Sequence, residues 1–145
     1  AISADFRVAC PESRFSANFN RLGFHPGFGL TATLPRLIGH QKTAMMFYTG
    51  RRIPGEEAFA MGLADVLVPR EQLRDEAMKL AREIAISAPL AVVSTRATMR
   101  TGLVDLVRAA VNRESVEQDW QRKTEDFKEG VAATAQRREP AFKGK

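Results

Sequence analysis

The sequence predicts an α/β fold whose second half is built from helices alone. Through residue 69, short β-rich runs alternate with short helical stretches, and glycines and prolines separate them. From residue 70 onward, apolar residues recur at helical spacing on charged segments, and no β-rich run appears. The chain has 145 residues, 44% hydrophobic and 27% charged, a balance that points to one globular domain with a real core rather than to a disordered chain.

Asp5-Phe6-Arg7-Val8-Ala9 reads as a strand. Residues 30–38 read as a helix that tolerates Pro35 and ends at Gly39. Residues 40–48 give a second helix, stopped by Thr49-Gly50. Residues 54–61 give a third; Pro54 suits a first turn because that position needs no N–H, and Gly62 suits the stop. Residues 63–68 alternate and are β-rich, and Pro69 closes them. Leu73, Ala77, Leu80, Ala81 and Ile84 then form one apolar stripe, interrupted at Ser87-Ala88-Pro89. A helix over 89–100 follows and breaks at Thr101-Gly102. Leu103, Leu106, Val107, Ala110 and Val111 open a long helix reaching about residue 123. The last helix covers 124–138, with Thr124 at its start as a cap. Met45, Met46, Phe47 and Trp120 are assigned to packing.

Net charge is +5, from 22 basic and 17 acidic residues, which favours anionic partners. Most bases are interleaved with acids, as in Arg70-Glu71-Gln72-Leu73-Arg74-Asp75-Glu76, the pattern of a solvated helix face. Only Arg137, Arg138, Lys143 and Lys145 form a basic cluster. It lacks an RNA-binding signature or zinc spacing, so neither nucleic acid nor a metal is expected. No apolar run is long enough to cross a bilayer and no secretory pattern opens the chain, so no membrane partner is expected. The lone Cys10 excludes an internal disulfide, suits a buried small hydrophobe, and fits a cytoplasmic location. The opening on Ala1 rather than Met suggests a fragment or a processed chain.

The turn Phe24-His25-Pro26-Gly27-Phe28-Gly29-Leu30-Thr31 admits two readings. Glycines before a helix can present amides to an anion; the same residues also make an ordinary turn with Thr31 near the helix cap. His25 is its one titratable side chain, a catalytic candidate or a structural histidine. Phe19, Leu22, Phe24 and Phe28 line an apolar channel or belong to the core.

Tyr48-Thr49-Gly50-Arg51-Arg52-Ile53-Pro54-Gly55-Glu56-Glu57-Ala58-Phe59-Ala60-Met61-Gly62-Leu63-Ala64-Asp65-Val66-Leu67-Val68-Pro69 carries a recognisable order of helix stops and a strand. It closely resembles the enoyl-CoA hydratase/isomerase (crotonase) family. Leu34-Pro35-Arg36-Leu37-Ile38-Gly39 and Ser3-Ala4-Asp5-Phe6-Arg7-Val8-Ala9 match upstream. Asp126-Phe127-Lys128-Glu129-Gly130 and Arg137-Arg138-Glu139-Pro140-Ala141-Phe142 match the family's C-terminal ending. The resemblance implies the C-terminal portion of a subunit: the last turns of a crotonase-type β-β-α spiral over 1–69, then an all-helical trimerisation region with a CoA-proximal tail over 70–145.

It also implies an acyl-CoA thioester as substrate, a homotrimer or hexamer, and no bound cofactor, coenzyme A entering as part of the substrate. Thioester carbonyls in the family are held by two backbone amides, an oxyanion hole that stabilises an enolate. Both amides fall upstream of Ala1, so this segment alone is expected to be inactive. The implied substrate pocket is Phe19, Leu22, Gly23, Phe24, His25, Pro26, Gly27 and Phe28; the implied CoA-binding residues are Arg137, Arg138, Phe142 and Lys143. Hydratases carry Pro-Glu where this chain has Asn18-Phe19, because adding water needs one base and one acid. Some isomerases and dehalogenases place an aspartate near Gly27, which cannot titrate. Hydratase, lyase or isomerase chemistry is expected, with a decarboxylase, a thioester hydrolase, or a catalytically silent acyl-CoA-binding assembly paralogue as alternatives.

Overall fold

The computed structural model describes residues 1–145. The chain runs β1 (Val8–Ala9), β2 (Arg14–Phe15), α1 (Leu30–Ile38), α2 (His40–Thr49), β3 (Ile53–Pro54), α3 (Gly55–Ala60), β4 (Val66–Leu67), α4 (Leu73–Ala85), α5 (Pro89–Met99), α6 (Leu103–Gln121) and α7 (Glu125–Gln136). Two 3-10 turns, Asn20–Leu22 and Arg70–Gln72, join them. Beyond Pro69 every regular element is helical. By compactness the chain forms two interleaved units: residues 1–15 with 53–106, and residues 16–52 with 107–145.

In the first unit β1 pairs in parallel with β4, and β2 pairs antiparallel with β3. The strand expected over 5–9 pairs only at Val8–Ala9, because side chains claim the preceding residues. The Arg7 amide donates to Asp65 Oδ2 at 2.7 Å, and the buried Arg7 guanidinium meets the same carboxylate at 3.0 Å. Asp5 is held by Arg96 and Arg100 at 2.8 and 2.7 Å. Likewise the strand expected over 63–68 pairs only at Val66–Leu67, since the Leu63 and Ala64 amides turn back to Ala58 O. β2 was not foreseen. Its partner ends at Pro54, which has no N–H to continue the ladder. Pro54 is extended at φ −70° and ψ 166°, so it caps α3 rather than entering its first turn.

Ile53, Ala58, Leu63, Ala64 and Cys10 form the core of this unit. Cys10 is buried beside Ser13, 3.5 Å from its hydroxyl. Gly55 has no substitute, because a Cβ there would lie 1.9 Å from Cys10 O.

In the second unit α1 and α2 bury Leu34, Ile38, Met46 and Phe47. Met45 and Trp120, expected to pack, are instead 41% and 54% exposed, and the Trp120 indole donates to Glu117. Thr124 caps α7 as expected, accepting from the Phe127 amide at 3.1 Å. The backbone of α7 lies directly on the first 3-10 turn. A Cβ at Gly130 would stand 2.5 Å from the Leu22 carbonyl carbon, and one at Gly23 would stand 2.6 Å from Asp126 O.

Candidate functional site

The segment from Phe19 to Thr31 forms the wall of the candidate site, and α6 and α7 fix its shape within the second unit. The Phe19 and Phe24 rings meet edge to face at 5.5 Å, and Phe24 meets Phe127 of α7 at 5.4 Å. Arg122 lies over the Phe24 ring, 5.5 Å from its centre, a cation–π contact. Phe28 stands 6.3 Å from Phe19 but is 86% exposed, and its φ of 63° is a left-handed conformation rare for a bulky residue.

His25 is held by its backbone. Its amide donates to Gln121 Oε1, and Gln118 Nε2 donates to His25 O at 2.8 Å. Its ring Nδ1 lies 2.7 Å from Pro26 O. A carbonyl only accepts, so this pairing assigns the proton to Nδ1. His25 borders two cavities: one of about 410 Å³ shared with Phe24, Trp120 and Asp126, and one of about 270 Å³ shared with Pro26, His40 and Phe47. Gly27 is enclosed by the Gln118 side chain, whose Nε2 stands 2.6 Å from where a Cβ would be.

The start of α1 is occupied by a residue that the sequence reading missed. Glu114 of α6 is 2% exposed, and its carboxylate accepts from the Gly29 amide at 2.7 Å, the Thr31 amide at 3.0 Å and the Thr31 hydroxyl at 2.6 Å. Thr31 therefore does not cap its own helix; a carboxylate 83 residues away does so, complementing the positive end of the helix dipole. Thr31 stands near the helix cap as in the ordinary-turn reading, and Glu114 fills the place an external anion would take. The signal was present in the sequence. Val107, Val111, Glu114, Gln118 and Gln121 continue one stripe at helical spacing, apolar first and then polar.

The tail folds back on α7. Glu129 receives both guanidinium nitrogens of Arg138, at 2.5 and 2.8 Å, and the Ala141 amide at 2.8 Å. These hydrogen bonds to the charged form, the Arg138 one foremost, lower the Glu129 pKa from 4.5 to about 2. Asp126 accepts from the Lys143 and Gly144 amides at 2.7 and 2.8 Å. The four residues expected to meet coenzyme A do not share one cavity. Arg137 and Arg138 border one, Lys143 borders another beside Lys128 and Glu125, and Phe142 is 41% exposed. No group of three or more His, Cys, Asp or Glu stands where it could hold a metal, and no helix is long and apolar enough to cross a membrane.

Short strand pairs feeding helices, followed by four consecutive helices, define an α/β scaffold seen in known structures. A structure of enoyl-CoA hydratase/isomerase from Pseudoalteromonas atlantica T6c aligns with a TM-score of 0.88 at 29% identity, over 98% of this chain and 57% of that one. An enoyl-CoA hydratase structure from Mycobacterium avium subsp. paratuberculosis K-10 aligns at 0.89 and 26% identity, over 99% and 58%. The enoyl-CoA hydratase/isomerase family model matches residues 1–145, and the chain belongs to that family, with the fold of the C-terminal part of its subunit. It is 34% identical to a crotonyl-CoA hydratase of Syntrophomonas wolfei over 98% of this chain and 55% of the relative. It is 32% identical to a carnitinyl-CoA dehydratase of Escherichia coli over 100% and 57%. The chain thus spans about half the length of the curated relatives it matches.

Proposed function

We propose that this chain is part of an acyl-CoA thioester enzyme that stabilises an enolate in an oxyanion hole, with both backbone donors upstream of Ala1. Within that class, it favours one-base proton transfer, such as double-bond isomerisation, over efficient hydration. Family membership and the relatives named hydratase and dehydratase support the substrate class. Phe19 carries the rest. At the position of a hydratase's second carboxylate it places an apolar ring, packed edge to face on Phe24. His25 lies six residues further along, in a turn whose backbone is fixed by Gln118 and Gln121, so its ring does not take the place of a side chain at position 19. A single upstream carboxylate suffices to move a proton between carbons of an enolate, whereas adding water uses two groups. On the same reading Arg137, Arg138, Phe142 and Lys143 meet the nucleotide end of coenzyme A.

The test is to assay the complete protein on short and medium trans-2-enoyl-CoA esters. Loss of one of two cooperating acid/base groups costs about a hundredfold to ten-thousandfold in rate. Hydration is therefore expected to be slow, isomerisation of 3-enoyl-CoA esters faster, and hydration to rise in Phe19→Glu. Wild-type hydration at roughly a hundred per second or more would refute the one-base assignment.

A further inference from the structure

The second unit holds one strongly charged feature, of which the acyl-CoA reading uses only Arg137 and Arg138. An open cavity of about 450 Å³ is bordered by Arg21, Arg51, Arg52, Arg137 and Arg138, with Glu139 as the one acid on its wall. These arginines come from three places in the sequence: the first 3-10 turn, the segment after α2, and the end of α7. Their convergence is built into the backbone. Arg21 donates its Nε to Thr49 O at 2.9 Å, and Gly50 lacks the Cβ that would stand 2.7 Å from Arg21 Cγ. Arg137 ends α7 at φ 55°, a left-handed conformation that costs energy for any residue bearing a Cβ.

Arg138 is matched by Glu129, whereas neither Arg52 nor Arg137 has a carboxylate partner. Like charges gathered this way repel, and a bound anion relieves the repulsion. The planar guanidinium fork matches the oxygens of a phosphate in bidentate fashion, and the volume falls in the range of small-molecule sites.

We propose that this cavity binds a phosphate-ester or pyrophosphate anion, with Arg52 and Arg137 as its principal ligands. The site stands on this geometry, and only its assignment to the phosphates of coenzyme A rests on the acyl-CoA reading. Two sources carry the chemistry, the phosphates of coenzyme A itself or a separate phosphorylated small molecule.

The experiment is calorimetric titration of the complete protein with inorganic pyrophosphate at low salt. Saturable binding is expected, weakened by added salt. Arg52→Gln and Arg137→Gln should each lower affinity about tenfold or more, with circular dichroism confirming the fold, while Lys79→Gln on α4 leaves it unchanged. Arg52→Lys, which keeps the charge and loses the fork, falls between. Displacement of pyrophosphate by coenzyme A assigns the site to the substrate's nucleotide; binding beside saturating coenzyme A assigns it to a second molecule. Absence of saturable binding, or wild-type affinity in a folded Arg52→Gln/Arg137→Gln variant, overturns the proposal. A protein that binds pyrophosphate but no acyl-CoA keeps this site and removes the acyl-CoA reading instead.

Discussion

Replacing Glu114 by glutamine tests whether a distant carboxylate holds the start of α1. The substitution keeps the shape and removes the charge. The carboxylate receives three hydrogen bonds, two from Thr31 and one from Gly29. An amide oxygen turned to Thr31 retains two of them without charge assistance, each weaker by about 1 kcal/mol. The amide nitrogen then faces the Gly29 N–H, and a buried donor left without an acceptor costs about 1–2 kcal/mol. The sum is about 3–4 kcal/mol, a hundredfold or more in an opening equilibrium. Hydrogen exchange followed by mass spectrometry reads this locally, so the result does not depend on two-state unfolding of the complete protein. The amides of residues 29–33 should exchange at least about a hundredfold faster in Glu114→Gln, and Thr31→Val should give a smaller acceleration. Exchange within about twofold of wild type in Glu114→Gln would mean that water replaces the carboxylate freely and that the cap is dispensable.

The tail provides a pH readout. The Glu129 pKa is lowered from 4.5 to about 2, so its contribution is fully present above 4.5 and is lost as pH falls toward about 2. The Ala141 amide resonance should therefore titrate with a midpoint near 2, and in Glu129→Gln that step should vanish; a midpoint near 4.5 would mean that the Arg138 pairing does not persist in solution. For assembly, Leu90, Val93 and Met99 of α5 are 85%, 66% and 74% exposed, and a trimer or hexamer of the complete protein is expected by sedimentation. A stable monomer at micromolar concentration would contradict it.

The sequence shows most helix boundaries because glycine and proline act locally. α1 ends at Gly39 and α5 begins at Pro89 as expected, and Thr124 caps α7. The strands are less legible. β2 is two residues long, too short for alternation to show, and Arg7 and Asp65 shorten the neighbouring pair through their side chains. At the site, His25 and the phenylalanines are marked by composition, yet what fixes them is the polar face of α6. Glu114, Gln118 and Gln121 were legible as spacing but not as partners, since nothing local says which turn they will meet. The arginine cavity is hidden for the same reason, because its walls are scattered from residue 16 to residue 140.

The separation between those partners also sets an order of events during synthesis. Gly29, Thr31 and His25 find Glu114, Gln118 and Gln121 across 83 to 96 residues. At roughly 5–20 residues per second, the segment carrying α1 and α2 leaves the ribosome roughly 4–20 s before α6 can close it. Over that interval the first turn of α1 is satisfied by water alone, and the aromatic turn before it lacks α7. A chain stalled before residue 107 thus presents an unfinished apolar surface, and such nascent chains are clients for chaperones and targets for proteases.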